Sequence, residues 1–234
     1  MTDAGRLLAL DTATRWPLVA LGDADGRLLG RRQWQSRHGH AEQLLPMLDA
    51  LLEEAGTGRA GLRGVIVGTG PGSFTGLRIG LATAKVLAYT LTLPIVGIPT
   101  ARALARAAGA IGEILVSLPA GAADRYVARY RATADDVAEQ EPPRLVARPD
   151  EFAAAVDGAT LVAVDLEADD VPPAAAEAGR QAVDRLPAAL LELGAHGLAN
   201  DESEDVATLV PAYVALPRGI NKSAEQMRWS PDLR

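Results

Sequence analysis

Short apolar runs separated by turn residues open the chain, and they predict three β-strands in succession. The runs are RLLALDT at 6–12, LVALG at 18–22 and LLGRRQW at 28–34, with the polar links ATRWP and DADG between them. Because both links are short, neighbouring strands are expected to run in opposite directions. The opening segment is therefore predicted to be an antiparallel meander.

A helical spacing of apolar residues replaces this pattern after residue 42. Apolar positions recur there at intervals of three or four, at Leu44, Leu48, Leu51 and Ala55. The run GVIVG at 64–68 predicts a buried strand, a second helix is expected from about 74 to 91, and PIVGI at 94–98 predicts another strand. This order of elements predicts an α/β fold of the actin-like, or ribonuclease-H-like, type: a mixed sheet flanked by helices, in two subdomains.

The pattern weakens beyond residue 100, where the remaining elements rest on shorter signals. In chain order they are a helix at 100–109, strands at 114–118, 126–131 and 161–165, and an alanine-rich helix at 174–193. The stretches EPPR and VPP are predicted to be loops, because proline interrupts backbone hydrogen bonding. We place a boundary near Pro99, between an N-terminal actin-like subdomain at 1–99 and a smaller, more divergent subdomain at 100–234.

Composition narrows the class of protein. The 234 residues carry a formal net charge of -7, 48% of them are hydrophobic and none is cysteine. A globular fold is expected, disulfides and thiolate–metal sites are excluded, and a reducing, cytoplasmic location fits. The negative charge argues against a large nucleic-acid footprint, and the first ten residues do not resemble a signal peptide or a membrane span. No acidic residue lies between Glu54 and Glu113, which marks either a partner surface or ordinary solvated faces.

The glycine-rich stretch VGTGPGSFTG at 67–76 is the most distinctive local feature. A P-loop needs Lys and then Ser or Thr directly after its second Gly, whereas Gly76 is followed here by Leu77. A dinucleotide fingerprint needs an acidic residue about 20 positions further on, and the acid-free stretch excludes one. We interpret the run as a strand–turn–helix junction, with Pro71 and Gly72 at the centre of a type II turn and a positive φ at Gly72.

The link between the first two strands contains Asp11, Thr12 and Thr14. In actin-like ATPases the equivalent hairpin is glycine-rich, so that its N–H groups approach nucleotide phosphates, and an Asp holds the metal. This chain keeps the Asp and the hydroxyl groups but lacks the glycine. The hairpin is either a vestigial phosphate or carboxylate site, or a turn held by a strand-ending Asp.

The three histidines, His38, His40 and His196, predict no metal site. The first two enter a helix near Glu42 without a further ligand, and the third stands alone in a glycine-flanked turn. No familiar spacing of Ser, His and Asp is present either, so the residues alone give catalysis little support.

One face on each of the two predicted helices is a candidate for contact with another subunit. Small residues recur every four positions in the second helix, which lets a neighbour approach closely. The first helix offers a row of leucines beside them. The candidate interface residues are Leu44, Leu48, Leu51, Leu52, Gly76, Gly80, Ala84 and Ala88. A partner subunit and the chain's own sheet are the two neighbours that these faces could meet.

The run GTGPGSFTGLRIGLATAKVLAYTLTLPIVGI at 68–98 closely resembles the TsaB family, also called YeaZ, as do LALDTAT near the start and HAEQLLPMLDALLEEAG at 40–56. The resemblance is specific over 7–106 and thinner beyond, where LVPAYV at 209–214 resembles the usual ending of the family. It implies a two-domain, actin-like accessory subunit without catalytic residues, metal or cofactor of its own.

The resemblance also implies partners. A TsaD-like catalytic subunit would pair with helices of the N-terminal subdomain, a TsaE-like ATPase would join the complex, and tRNA would be reached indirectly. The implied function is to support transfer of a threonylcarbamoyl group to the adenosine beside the anticodon of certain tRNAs. The same face could join two copies of the chain in the absence of the partner, and no membrane is involved.

The TsaD-like relatives differ from this chain at their metal pair. Their His-x-x-x-His motif follows the strand that corresponds to 94–98, and the matching positions here are Thr100 and Leu104, neither of which replaces an imidazole. The loop with Asp-Ala-Arg-like residues in TsaB proteins reads Pro-Ala-Gly at 119–121, and the tail 219–234 extends past the usual end. The alternatives to an accessory subunit are a stand-alone actin-like ATPase or transferase and a homodimeric binding module.

Overall fold

The computed structural model describes residues 5–36, 40–121, 124–166 and 170–214. Its strands are β1 (Arg6–Asp11), β2 (Leu18–Gly22), β3 (Leu28–Gln33), β4 (Leu62–Gly68), β5 (Ile95–Ile98), β6 (Gly112–Pro119), β7 (Arg125–Ala132), β8 (Val137–Val146) and β9 (Thr160–Ala163). Its helices are α1 (His40–Glu54), α2 (Phe74–Leu91), α3 (Thr100–Ala108), α4 (Pro149–Val156) and α5 (Pro173–Ala199). His38, the side chain of His40 and the tail 219–234 lie outside the described residues.

The first sheet has five strands in the order β3-β2-β1-β4-β5. β1 pairs antiparallel with β2, and β2 with β3, so the predicted meander is confirmed. β4 runs parallel to β1, and β5 runs parallel to β4, with a helical crossover before each of them. Residues 7–11 of β1 are all buried, as expected of a central strand that is covered on both faces.

The second sheet has four strands in the order β8-β7-β6-β9. β6, β7 and β8 are antiparallel, and β9 is parallel to β6. Two elements were not predicted, α4 and β8, and β8 contains the EPPR stretch that was expected to be a loop. Pro142 and Pro143 are tolerated because β8 is an edge strand and because its register with β7 shifts between Glu141 and Arg144, which leaves both prolines out of the ladder.

The two sheets share one hydrophobic cluster, with α3 and α5 contributing to it. Leu104 of α3 and Leu190 of α5 are fully buried together with Ile66 of the first sheet and Val116 of the second. The change from one sheet to the other falls between β5 and β6, near the predicted boundary at Pro99. The division into two subdomains stays a prediction, because the core runs through both.

Two glycines bring α5 close to both sheets. A Cβ at Gly194 would lie 2.4 Å from the side chain of Ile66, and one at Gly179 would lie 1.8 Å from the carbonyl oxygen of Ala163. α5 is also longer than predicted and includes His196, so that residue lies in a helix and not in a turn. α5 therefore joins the late part of the chain to the first sheet.

Candidate functional site

The link after β1 is anchored by the side chain of Asp11, which is 1% exposed. One carboxylate oxygen accepts the N–H of Ala13 at 2.7 Å, and the other accepts the hydroxyl of Thr100, the first residue of α3, at 2.6 Å. Asp11 thus bonds its own turn and ties it to α3. Burial raises the pKa of Asp11 to about 6, against the lowering effect of the two hydrogen bonds, and the nearby Asp165 adds to the rise.

The hydroxyl groups of Thr12 and Thr14 are also engaged within the chain. Thr12 donates from Oγ1 to the carbonyl oxygen of Gly76 at 2.7 Å, and Thr14 accepts the N–H of Trp16 at 3.1 Å. Both threonines are buried. These contacts hold the hairpin in shape and against α2, and a phosphate-binding role for Asp11, Thr12 and Thr14 stays a prediction.

The glycine-rich loop packs directly on this hairpin. Ser73 donates its N–H to the carbonyl oxygen of Ala13 at 2.7 Å, and its hydroxyl accepts the N–H of Gly76 at 3.1 Å, which caps α2. The predicted turn is wrong, because the positive φ, +100°, lies at Gly70 and not at Gly72. The reason for a glycine at position 72 is the close approach of the hairpin, since a Cβ there would lie 2.2 Å from the Ala13 carbonyl oxygen.

The eight residues predicted to face a partner are buried inside the chain. They are Leu44, Leu48, Leu51, Leu52, Gly76, Gly80, Ala84 and Ala88. The four leucines are at most 4% exposed and share a cluster with Leu8 of β1 and Val65 of β4. A Cβ at Gly76 would lie 2.0 Å from the carbonyl oxygen of Thr12, and one at Gly80 would lie 2.2 Å from its Oγ1. The prediction is corrected at these residues, because they pack α1 and α2 against the chain's own sheet and hairpin.

The opposite face of α2 carries apolar residues that the sequence analysis did not select. Val86 and Tyr89 are 64% and 80% exposed, and Leu45 of α1 is 47% exposed. Arg78, Ala82, Val86 and Tyr89 follow one another at intervals of four, four and three, so they lie on one face of α2. We call these four residues the outer ridge. A signal for it was present in the sequence, because large apolar residues lie on the side of α2 that faces away from the glycine row.

Packed side chains occupy the two positions that match the metal-binding His-x-x-x-His motif of the TsaD-like relatives. Thr100 is fully buried and bonded to Asp11, and Leu104 is fully buried in the shared core. Among the described residues, no group of three or more His, Cys, Asp or Glu side chains is placed to hold a metal ion. Over the same ranges, no helix has both the length and the apolarity to cross a membrane.

Two cavities lie beside the hairpin. One of about 440 Å³ lies against α5, and its neighbour of about 300 Å³ is lined by Thr14, Ser73 and Gly121. Asp165 lines both of them, with a φ of +58° and a carboxylate oxygen that accepts the N–H of Arg15 at 2.6 Å. Burial raises the pKa of Asp165. The loop at 119–121 therefore reaches this junction with only small or apolar side chains.

The architecture defines the class of protein. Two mixed sheets with a shared core, and a hairpin at their junction, form an α/β protein of the actin-like type. YeaZ from Pseudomonas aeruginosa has this architecture, with a TM-score of 0.67 and 27% identity over 89% of this chain and 99% of that chain. A second P. aeruginosa structure, described as an uncharacterized protein with similarity to peptidase YeaZ, has a TM-score of 0.68 and a sequence identity of 25%. That match covers 90% of this chain and 100% of the other chain. The predicted fold class is confirmed.

Similar sequences carry the TsaB name. The tRNA threonylcarbamoyladenosine biosynthesis protein TsaB of Escherichia coli K12 is 32% identical over 148 residues, which are 62% of this chain and 63% of that protein. The Haemophilus influenzae protein of the same name is 37% identical over 102 residues, 44% of this chain and 42% of that protein. A family model described as TsaD, tRNA N6-adenosine threonylcarbamoyltransferase, matches residues 34–148. The predicted resemblance to TsaB is confirmed, and the chain spans less than two thirds of the length of these curated relatives.

Proposed function

We propose that the chain is a non-catalytic accessory subunit that binds and supports a TsaD-like transferase in making N6-threonylcarbamoyladenosine next to the anticodon of tRNA. The observation that carries the proposal is the similarity, in sequence and in fold, to proteins named TsaB and YeaZ. The E. coli and H. influenzae relatives are named as biosynthesis proteins for tRNA threonylcarbamoyladenosine.

The packing around the hairpin supports an accessory role over a catalytic one. Asp11 uses both carboxylate oxygens in bonds to Ala13 and Thr100, and the Thr12 hydroxyl is committed within the chain. A nucleotide phosphate or a metal ion would have to displace these buried contacts, and each buried polar group left unpaired costs about 1–3 kcal/mol. At the second metal position, Leu104 offers no ligand atom.

The outer ridge of α2, together with Leu45 of α1, is the surface that we assign to the TsaD-like partner. Val86 and Tyr89 present large side chains to water, and burial against another subunit would stabilise a complex. A specific interface buries roughly 1,000 Å² or more of surface, and a pair of helices from each subunit can supply that area. The TsaE-like ATPase and tRNA would be reached through the partner, in the cytoplasm. A second copy of the chain could occupy the ridge when the partner is absent.

Co-purification with the TsaD-like protein of the same organism, followed by a tRNA modification assay with and without this chain, tests the proposal. We expect a stable complex, and modification only when this chain is present. Val86→Asp and Tyr89→Asp should each weaken binding by at least ~30-fold, because each would bury an unpaired carboxylate at the centre of the interface.

Ile111→Asp is the matched control. Ile111 is 75% exposed and belongs to the link between α3 and β6, outside both α1 and α2, so this variant should bind with full affinity. Modification that proceeds equally well without the chain would contradict the proposed function. Ridge variants that bind as tightly as the control would place the interface on another surface.

A further inference from the structure

Residues 204–213, which we call the strap, follow α5 and lie along the edge of the first sheet. Glu204 donates its N–H to the carbonyl oxygen of Ile95 in β5 at 2.8 Å. Ala212 donates its N–H to the carbonyl oxygen of Thr69, directly after β4, at 2.9 Å. The strap is therefore fixed to the sheet by backbone bonds near both of its ends.

The strap is also held against one side of α2. Lys85 donates from Nζ to the carbonyl oxygens of Ala207 and Leu209, at 3.3 and 3.1 Å. Leu209 is 3% exposed and belongs to the same hydrophobic cluster as Leu81 of α2. Because charged donors make the stronger hydrogen bonds, these contacts set the position of the strap along the helix.

The end of the strap meets the first turns of α2 at three side chains, Phe74, Arg78 and Tyr213. The guanidinium carbon of Arg78 lies 3.9 Å from the centre of the Phe74 ring, and Arg78 Nε donates to the Tyr213 hydroxyl at 3.1 Å. The two aromatic rings lie 5.3 Å apart, between centroids. The guanidinium plane is thus supported on one face and bonded at Nε, which fixes the rotamer of an exposed arginine.

Arg78 is the charged member of the outer ridge, beside the exposed Val86 and Tyr89. α2 contains no Asp or Glu, and among the described residues Arg78 forms no ion pair. Its described hydrogen bond uses Nε, so the two terminal nitrogens are left to bind an acceptor. An arginine held in this way is suited to bidentate binding of a planar carboxylate.

We propose that Arg78 is the polar anchor of the partner surface, that it receives a carboxylate from an acidic side chain on the TsaD-like subunit, and that Tyr213 of the strap is its positioning residue. The inference rests on the proposed function. Charge complementarity identifies the occupant, since the outer ridge has one cation, no anion and two large apolar side chains, which fits a partner surface that is apolar and acidic. Fixing the Arg78 side chain before binding reduces the entropy lost on association.

A double-mutant cycle on full-length protein, with affinity for the TsaD-like partner measured by calorimetry, tests this. Arg78→Gln should weaken binding by ~30-fold or more, as at an interface hot spot. Tyr213→Phe removes only the hydroxyl and should weaken binding by ~2–10-fold, the effect of freeing one long side chain. If Tyr213 acts through Arg78, the double variant should bind no more weakly than Arg78→Gln alone. Equal losses from Tyr213→Phe in both backgrounds would overturn the positioning role.

Two further measurements separate a charge contact from a structural effect. Raising the salt concentration from about 0.05 to about 0.5 M should weaken the wild-type complex more than the Arg78→Gln complex, because exposed charges are screened. Arg27→Gln, in the exposed turn between β2 and β3, is the matched control and should leave affinity unchanged. Arg78→Lys keeps the charge without the planar fork, and we expect a loss of affinity without a change in melting midpoint.

The outcomes distinguish this inference from the function on which it rests. If the wild-type chain does not bind the TsaD-like partner, both are overturned. If the wild type binds and Arg78→Gln and Arg78→Lys bind equally well, the proposed function survives and the anchor is overturned. A loss confined to the Arg78 and Tyr213 variants, with normal melting and a reduced salt dependence, supports the anchor.

Discussion

Replacing Asp11 with Asn tests whether the buried carboxyl group at the hairpin makes folding stability depend on pH. The pKa of Asp11 rises from 3.8 to about 6 in the folded chain, chiefly because the group is removed from water. A difference of about 2 pH units between the folded and unfolded values corresponds to about 3 kcal/mol in the free energy of unfolding. The ionised carboxylate therefore destabilises the folded chain at neutral pH.

The sign follows from proton binding. Between about pH 6 and pH 4 the folded chain holds a proton at Asp11 that the unfolded chain has largely lost, so protonation stabilises the folded state. The stabilisation is fully present at low pH and is lost as the pH rises through about 6. It amounts to about 2 kcal/mol near pH 4.5 and to almost nothing above pH 7.

Urea unfolding of the wild type and Asp11→Asn near pH 4.5 and pH 7.5 is the assay. The readout is the difference between the two proteins, because titration of the remaining groups, Asp165 included, contributes to both. Relative to the variant, the wild type should gain about 2 kcal/mol on acidification. Thr100→Val removes a hydrogen bond that lowers the pKa of Asp11, so the transition should move to higher pH. A difference that is constant with pH, or that changes in the opposite direction, refutes the reasoning.

Three other predictions can be tested on the isolated chain. Gly76→Ala should lower the free energy of unfolding, measured by urea titration, by about 1–3 kcal/mol, because the new methyl group would meet the Thr12 carbonyl oxygen. Gly58→Ala is the control: its new methyl group would have no atom within 4 Å, so it should change the free energy of unfolding by no more than about 0.5 kcal/mol. Leu104→Ala should cost about 2–5 kcal/mol by the same measurement, and a smaller loss would show that the shared core collapses around the cavity. The isolated chain should neither hydrolyse ATP at an enzyme-like rate nor retain stoichiometric zinc or iron, and hydrolysis that is abolished by Asp11→Ala would favour the stand-alone ATPase.

The strands of the first sheet and the helices between them could be predicted from the sequence, because apolar residues recur in each at the spacing typical of a strand or a helix. Buried strands such as β4 are short apolar runs between glycines, and α1 repeats its leucines every three or four residues. β8 was missed because most of its residues are exposed and Pro142 and Pro143 interrupt it, so neither alternation nor β-propensity marks the strand. α4 was missed because its eight residues bury only Ala155.

The row of small residues on α2 was predicted to face a partner and instead packs inside the chain, for a physical reason. A row of small residues at regular spacing indicates that one face of a helix is closely packed. The spacing does not show which other part of the protein, or which other subunit, packs against that face. At Gly76 and Gly80 that neighbour is Thr12 of the chain itself. The contact between Arg78 and Tyr213 joins residues 135 positions apart, and no local pattern in a single sequence reports such a pair.

The position of α5 has a consequence for how the protein is made. The face of the first sheet that bears Ala9 and Ile66 packs against a helix that ends only at residue 199. During synthesis on the ribosome, all five strands of that sheet emerge well before the helix that covers them. Until then the nascent chain exposes an apolar face, which is a binding site for chaperones and a source of aggregation. The surface on α2 that we propose for the partner is therefore expected to become functional only after α5 has been synthesised.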